Sequence, residues 1–218
     1  MRQPTLLEAA TALARIEFGG VPEGTFLESA VLQLTVGDYS GALATASFGL
    51  QQSVCLEQIW KGRCVEVEAA LRAGKPELAI AAARWLQSIE LINAFTNARV
   101  AQVAFHQGEV DRALDVLHDT LDKYGDTALI YHDIGSIFYT KGEFDQARSH
   151  LTRAIELEPL YASAYRARGN AYKASEDLSL AIHDYRTALS FYHCPTILDE
   201  VRWSCALREV KNFLNNGE

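Results

Sequence analysis

GDYSGALATA (37–46), GKPELAIAAA (74–83), GEVDRALDVL (108–117), GEFDQARSHL (142–151) and EDLSLAIHDY (176–185) align column for column. Each opens on a turn residue and reaches alanine five positions later, at Ala42, Ala79, Ala113, Ala147 and Ala181. The last four alanines are 34 residues apart and the first interval is 37, so one structural unit is written five times. A glycine after a helical run ends it, because without a Cβ it takes the left-handed backbone at no steric cost. The acidic and polar residues that follow suit the start of a second helix. Pro76 falls in the first turn of such a helix, where a missing N–H removes nothing. Each unit therefore reads as two antiparallel helices, with the alanine where they approach. A larger side chain there would force them apart at about 1–3 kcal/mol.

The period and its columns resemble the tetratricopeptide repeat. In the unit from Ala128, Tyr131, Ile134, Gly135, Phe138, Ala147, Leu151, Ala154 and Pro159 stand at that family's pattern positions. The unit from Ala162 repeats the pattern with Tyr165, Gly169, Tyr172, Ala181, Tyr185 and Ala188, but Arg168 takes an aliphatic position and Pro195 arrives two places late. The unit from Ala94 keeps Ala101, Gly108, Ala113 and Leu117 without the aromatics, and the two units before it hold little beyond the glycine–alanine turn. The resemblance implies an all-α, right-handed solenoid in a single array, with about five units over residues 23–195 and first helices lining a concave wall.

An amphipathic helix is expected at either end. Residues 1–22 open on Thr5 and Glu8 at capping-box spacing, carry Arg15 and Glu17, and stop at Gly19–Gly20, which reads as a helix and not as a signal peptide. Residues 196–218 carry Val201, Trp203, Cys205, Leu207, Val210 and Phe213. Both helices are expected to cap the array; docking on a second copy of the chain is the alternative.

With 218 residues, 49% of them hydrophobic, the chain can bury a substantial core. Its 28 acidic residues outnumber 20 basic ones, which argues against nucleic acid and anionic lipid as partners. No apolar run is long enough to cross a bilayer. Cys55, Cys64, Cys194 and Cys205 lack metal-site or redox spacing and read as reduced packing residues of a cytoplasmic protein. His106, His118, His132, His150, His183 and His193 form no metal-ligand spacing. The neighbours His132–Asp133 and His183–Asp184 should point in different directions on a helix. No nucleophile elbow, P-loop or dinucleotide fingerprint is present, so no catalytic site, metal or cofactor is expected. Trp60, Trp85, Trp203 and the tyrosines of the later units read as core wedges.

The concave wall implied by the resemblance places Glu68, Arg99, Gln102, His132, Asp133, Ser136, Tyr139, Arg166, Asn170 and Lys173 on the inner face of the first helices. Arg166, Asn170 and Lys173 lie a helical turn apart and suit a carboxylate or an acidic segment. Asp133 and Glu68 supply the opposite sign further along. The expected function is a non-catalytic scaffold or adaptor that binds a peptide or helix of another protein. A dedicated chaperone or assembly factor for a secretion or membrane-complex subunit is one alternative, and a homo-oligomeric structural scaffold is another. One branch of the family holds the C-terminal carboxylate of heat-shock chaperones with lysines, asparagines and an arginine. Arg166 and Asn170 match the first places of that clamp, but Val201 stands where asparagine is required. Earlier registers put Ala98 or Cys64 at its first basic position.

Overall fold

The computed structural model describes residues 15, 16, 18, 20, 25–89, 93–191, 200, 201, 204 and 205. Among them the regular elements are α-helices, with no strand. They are α1 Phe26–Thr35, α2 Tyr39–Gln52, α3 Leu56–Arg72, α4 Pro76–Ser88, α5 Ala94–His106, α6 Val110–Tyr124, α7 Ala128–Thr140, α8 Phe144–Leu157, α9 Ala162–Ala174 and α10 Leu178–Phe191. Consecutive helices pair into five units, and the first helices of the last three start at Ala94, Ala128 and Ala162, in step with the 34-residue period. The extra residues of the first interval are taken up in α3, which has 17 residues where α5, α7 and α9 have 13 each.

Local chemistry sets these boundaries. Asn93 and Thr96 form a reciprocal capping box at the start of α5, each side chain satisfying the other's backbone N–H at 3.0 Å. The turns inside the first four units carry Gly37, Gly74, Gly108 and Gly142 at φ between 70° and 84°. In the fifth unit Glu176 holds the same left-handed position at φ 65°. Pro76 occupies the first turn of α4, as its spacing required.

All five alanines of the repeat are fully buried. Gly135 serves the same close approach from the facing helix: a Cβ there would lie 2.7 Å from Leu151 Cγ and 3.1 Å from the Ala147 carbonyl oxygen. Trp60 lies in the core of the first two units and Trp85 packs against it half-buried, as core wedges should. Cys64 is buried in the same core, and desolvation pushes its thiol up to about 12 despite the pull of Arg99, so it is inert at neutral pH. Cys55 departs from the packing role expected of it. It is exposed, because it sits in the short connection ahead of α3 and not within a helix face.

Consecutive first helices (α1, α3, α5, α7, α9) pack directly on one another, while consecutive second helices make no comparable contact among the described residues. The array therefore curves with its first helices on the inside, and these form the concave wall.

The expected terminal helices, 1–22 and 196–218, fall mostly outside the described residues. Arg15, Ile16, Phe18, Glu200, Val201, Ser204 and Cys205 are helical. Val201 packs beside Tyr165 and Tyr172 of the last unit.

Candidate functional site

Three successive first helices, α3, α5 and α7, enclose a pocket of about 300 Å³ on the concave wall. Its apolar lining is Leu71, Phe105, Leu117 and Ile137, and its polar lining includes Gln102, His132 and Ser136 with Arg72 and His106 at the helix ends. All of these except Leu117, which comes from α6, project from one face of the first helices. That follows from the repeat period, which returns the same helical phase every 34 residues: Glu68, Gln102 and Ser136 share one column, and Leu71 and Phe105 share another.

A chain of charge-assisted hydrogen bonds runs behind the pocket and ties the three helices together. Glu68 accepts from Arg72 at 2.5 Å and from Arg99 through its other oxygen. Arg99 also donates to Gln102 Oε1 at 2.7 Å, and Gln102 Nε2 reaches both Asp133 oxygens at 3.3 Å. Burial alone pushes the Glu68 carboxyl up. The electrostatic pull of Arg72, Arg99 and His132, with the hydrogen bond from Arg72, overcomes it and holds the group below its ordinary range. Glu68 is therefore ionised at neutral pH, which fixes the Arg72 and Arg99 side chains at the pocket wall.

His132 and Asp133 do not diverge as neighbouring helical positions should. His132 Nδ1 lies 3.1 Å from Asp133 Oδ1. The imidazole also packs against the Tyr161 ring at 5.1 Å between centroids. Both groups belong to the polar network and not to opposite sides of α7.

The pocket brings together Gln102, His132, Asp133 and Ser136 of the expected partner-binding residues, together with Glu68. Arg99 is not the projecting side chain its position suggests. It is fully buried, because Glu68 and Gln102 take its hydrogen bonds on one side and the Phe18 ring lies 5.0 Å from it on another. Tyr139 is half-buried and packs toward Phe144 at 5.9 Å. The trio expected to receive a carboxylate lies outside the pocket, and two of its members are engaged within the chain: Lys173 pairs with Glu200, and Asn170 Oδ1 accepts from the Tyr185 hydroxyl at 2.7 Å. Arg166 shares that face beside Tyr185. Sequence reasoning missed Leu71, Arg72, Phe105, His106, Leu117 and Ile137. Leu71, Phe105, Leu117 and Ile137 are apolar, and a search for polar residues on the wall passes over them, although the 34-residue columns place Leu71 and Phe105 in phase with Tyr139.

Chemically, the pocket suits one apolar side chain of a partner, whose burial would contribute about 1.5–3 kcal/mol, with a hydrogen-bonding group at the rim facing Ser136 or His132. Among the described residues no cluster of His, Cys, Asp and Glu is arranged to hold a metal, and no helix is long and apolar enough to cross a membrane.

Comparison with known proteins places this architecture. A TPR repeat family model matches residues 135–176. A TPR repeat-containing protein of Pseudomonas aeruginosa is 29% identical over 77 residues, covering 35% of this chain and 73% of its own length. A thermophilic TPR protein of Thermus thermophilus superposes with a TM-score of 0.65 at 22% identity, over 84% of this chain and 97% of its own. The first TPR of RPAP3, solved with the HSP90 peptide SRMEEVD, superposes with a TM-score of 0.51 at 24% identity, over 54% of this chain and 94% of its own.

Proposed function

The chain is a member of the tetratricopeptide-repeat family, and from that premise we propose that it is a non-catalytic scaffold whose concave wall binds a segment of another protein, with the α3–α5–α7 pocket taking one apolar anchor residue. The observation that carries the reading is the pocket itself: apolar walls from three units, backed by a hydrogen-bonded polar network that ties the three helices together. Peptide capture is known for this fold, since the first TPR of RPAP3 is solved bound to an HSP90 peptide. A chaperone tail is not the ligand favoured here, because of the two residues that match that clamp, Arg166 and Asn170, Asn170 is engaged by Tyr185, and Val201 stands where the clamp requires asparagine. A cytoplasmic setting fits free thiols at Cys55, Cys64 and Cys205.

Affinity purification with the wild-type chain and with Ser136→Tyr, which fills the pocket, tests the reading. A protein retained at fixed stoichiometry by the wild type should be lost from the variant while the unfolding midpoint stays within a few degrees. Equal recovery on both would rule the pocket out. A single client whose solubility the chain raises would favour the chaperone role, and several clients the adaptor role.

A further inference from the structure

Arg15, Ile16 and Phe18 come from the start of the chain, yet Arg15 and Ile16 find partners in its second half, and Phe18, a member of the core cluster of the first two units, also reaches Arg99. Arg15 Nη1 and Nη2 donate to Glu158 Oε1 and Oε2 at 2.7 Å each, across 143 positions of sequence. Ile16 is buried in a cluster with Ala128, Ala154, Tyr161 and Ala164. Phe18 is fully buried with its ring 5.0 Å from the Arg99 guanidinium. Ala128 opens α7, Ala164 belongs to α9 and Arg99 to α5. This short helical stretch therefore runs from the core of the first two units, which Phe18 joins, past Arg99 of α5 to α7 and α9.

The wall it covers has the features of a receptor for such a segment. Glu158 stands at one end as a carboxylate for a basic side chain. Ala128, Ala154, Tyr161 and Ala164 form the apolar cluster in which the branched aliphatic side chain of Ile16 is buried. Arg99 presents its guanidinium face to an aromatic ring, held flat by its bonds to Glu68 and Gln102. Arg15 and Phe18, three positions apart, share one face of a helix. The chain's formal charge of -8 adds long-range attraction for a basic segment over an acidic one.

We propose, building on the scaffold reading, that the wall from Glu158 to Arg99 is a docking surface for a helical segment of a partner protein carrying basic, aliphatic and aromatic residues at the spacing of Arg15, Ile16 and Phe18. The chain's own segment is its resident, displaceable occupant. The exposed Arg15–Glu158 pair contributes little by itself. Six residues, 19–24, join Phe18 to Thr25, and a tether that short gives an effective concentration on the order of millimolar. A segment of modest intrinsic affinity is thus held in place in cis, and a partner with the same chemistry binds only as tightly as the fraction of uncovered wall allows.

The probe is a fluorescently labelled peptide of residues 1–22, titrated by anisotropy against the full-length chain. The wild type should bind it weakly. Ile16→Ala/Phe18→Ala in the chain, which loosens the cis occupant and leaves the wall intact, should raise affinity by about tenfold. Because Phe18 is a core side chain, Arg15→Glu serves as a second variant with an exposed site, and it should raise affinity severalfold. Glu158→Arg should weaken binding of the native peptide severalfold and restore it for a peptide carrying Arg15→Glu. Equal affinity of wild type and folded Arg15→Glu would overturn the proposal, as would no binding to either loosened variant. So would a concentration-dependent dimer of the wild type that Arg15→Glu dissolves, since the segment would then serve a second copy. Ser136→Tyr should leave peptide affinity within about twofold, because Ser136 lines the pocket and Glu158, Tyr161, Ala164 and Arg99 do not. Loss of the partner on Ser136→Tyr with peptide binding intact supports both readings. Failure of the peptide alone sinks the docking surface and leaves the pocket standing.

Discussion

Arg168 Nε and Nη2 donate to the two carboxylate oxygens of Asp184 at 2.8 and 2.9 Å, joining the two helices of the last unit. Arg168 stands where the repeat pattern has an aliphatic residue. Asp184, on the facing helix, is almost fully buried, so the second departure compensates the first. Thr152 of the preceding unit accepts a further bond from Arg168 at 3.0 Å, and the Tyr165 and Tyr172 rings flank the guanidinium at 5.6 and 6.0 Å. Restoring the pattern at one position alone should therefore fail. Arg168→Leu leaves a buried carboxylate without its partner and should destabilise the array by about 3 kcal/mol, whereas Arg168→Leu/Asp184→Ala should recover most of that loss. Urea unfolding of the two single variants and the double gives the coupling directly, and additive losses would contradict it.

Gly135 makes a second test of the packing. Alanine in mid-helix ordinarily gains about 1 kcal/mol over glycine. Here the added Cβ meets Leu151, itself fully buried, and the Ala147 carbonyl oxygen, which is backbone and does not yield. Gly135→Ala should thus be net destabilising by about 1–2 kcal/mol, and a rise in the thermal midpoint would show that α7 and α8 do not approach as described.

The turn of the fifth unit offers the opposite sign. A left-handed backbone costs an ordinary L residue roughly 1–2 kcal/mol, and Glu176 bears that cost where four other units have glycine. Glu176→Gly should stabilise the chain by up to about 1 kcal/mol, the gain being reduced by the greater freedom of glycine in the unfolded chain. Gly142→Ala should lose a similar amount. Chemical denaturation of both variants checks the pair.

These cases mark what the sequence made legible. The period, the alanines and the turn glycines are local and repeated, so five aligned copies showed the helix pairs and, in the last three units, their starts. The inner wall was legible only in part. Its columns are periodic, which is how Gln102, His132, Asp133 and Ser136 were found. Whether a polar side chain on that wall is free or satisfied depends on partners from other units. Arg99 is closed in by Glu68 and Phe18, and Lys173 by Glu200, through contacts of 31, 81 and 27 positions that no period encodes. The Arg15–Glu158 contact is of the same kind.

His150 makes stability depend on pH. Its imidazole lies between the Phe138 and Tyr131 rings, at 5.4 and 6.0 Å, and burial, with the nearby His118, holds its pKa below the ordinary 6.5. The folded chain thus resists a proton that the unfolded chain accepts. Stability from this site is full above pH 6.5 and is lost as pH falls from there through the lower folded value. Unfolding midpoints at pH 7.5 and 5.5 should differ less in His150→Phe than in the wild type, and an equal difference would remove His150 as the cause.

Glu68 carries the same sign at lower pH and a larger consequence. Its carboxylate receives both Arg72 and Arg99, and its folded pKa lies below the ordinary 4.5 because their attraction outweighs burial. The stability it contributes is present above pH 4.5 and disappears as pH falls through the folded value. Glu68→Ala removes that carboxylate and leaves the Arg99 guanidinium buried, with Gln102 as a neutral acceptor. The expected loss is about 3–5 kcal/mol at neutral pH, and the variant should show a shallower acid limb than the wild type. Glu68→Gln keeps one acceptor and should fall between the two. Because Arg72 and Gln102 line the pocket while Arg99 stands behind it, a folded Glu68→Gln should also bind a pocket-anchored partner less tightly. If that variant were as stable as the wild type and bound equally well, the network would be decoration on the wall and not the support that shapes it.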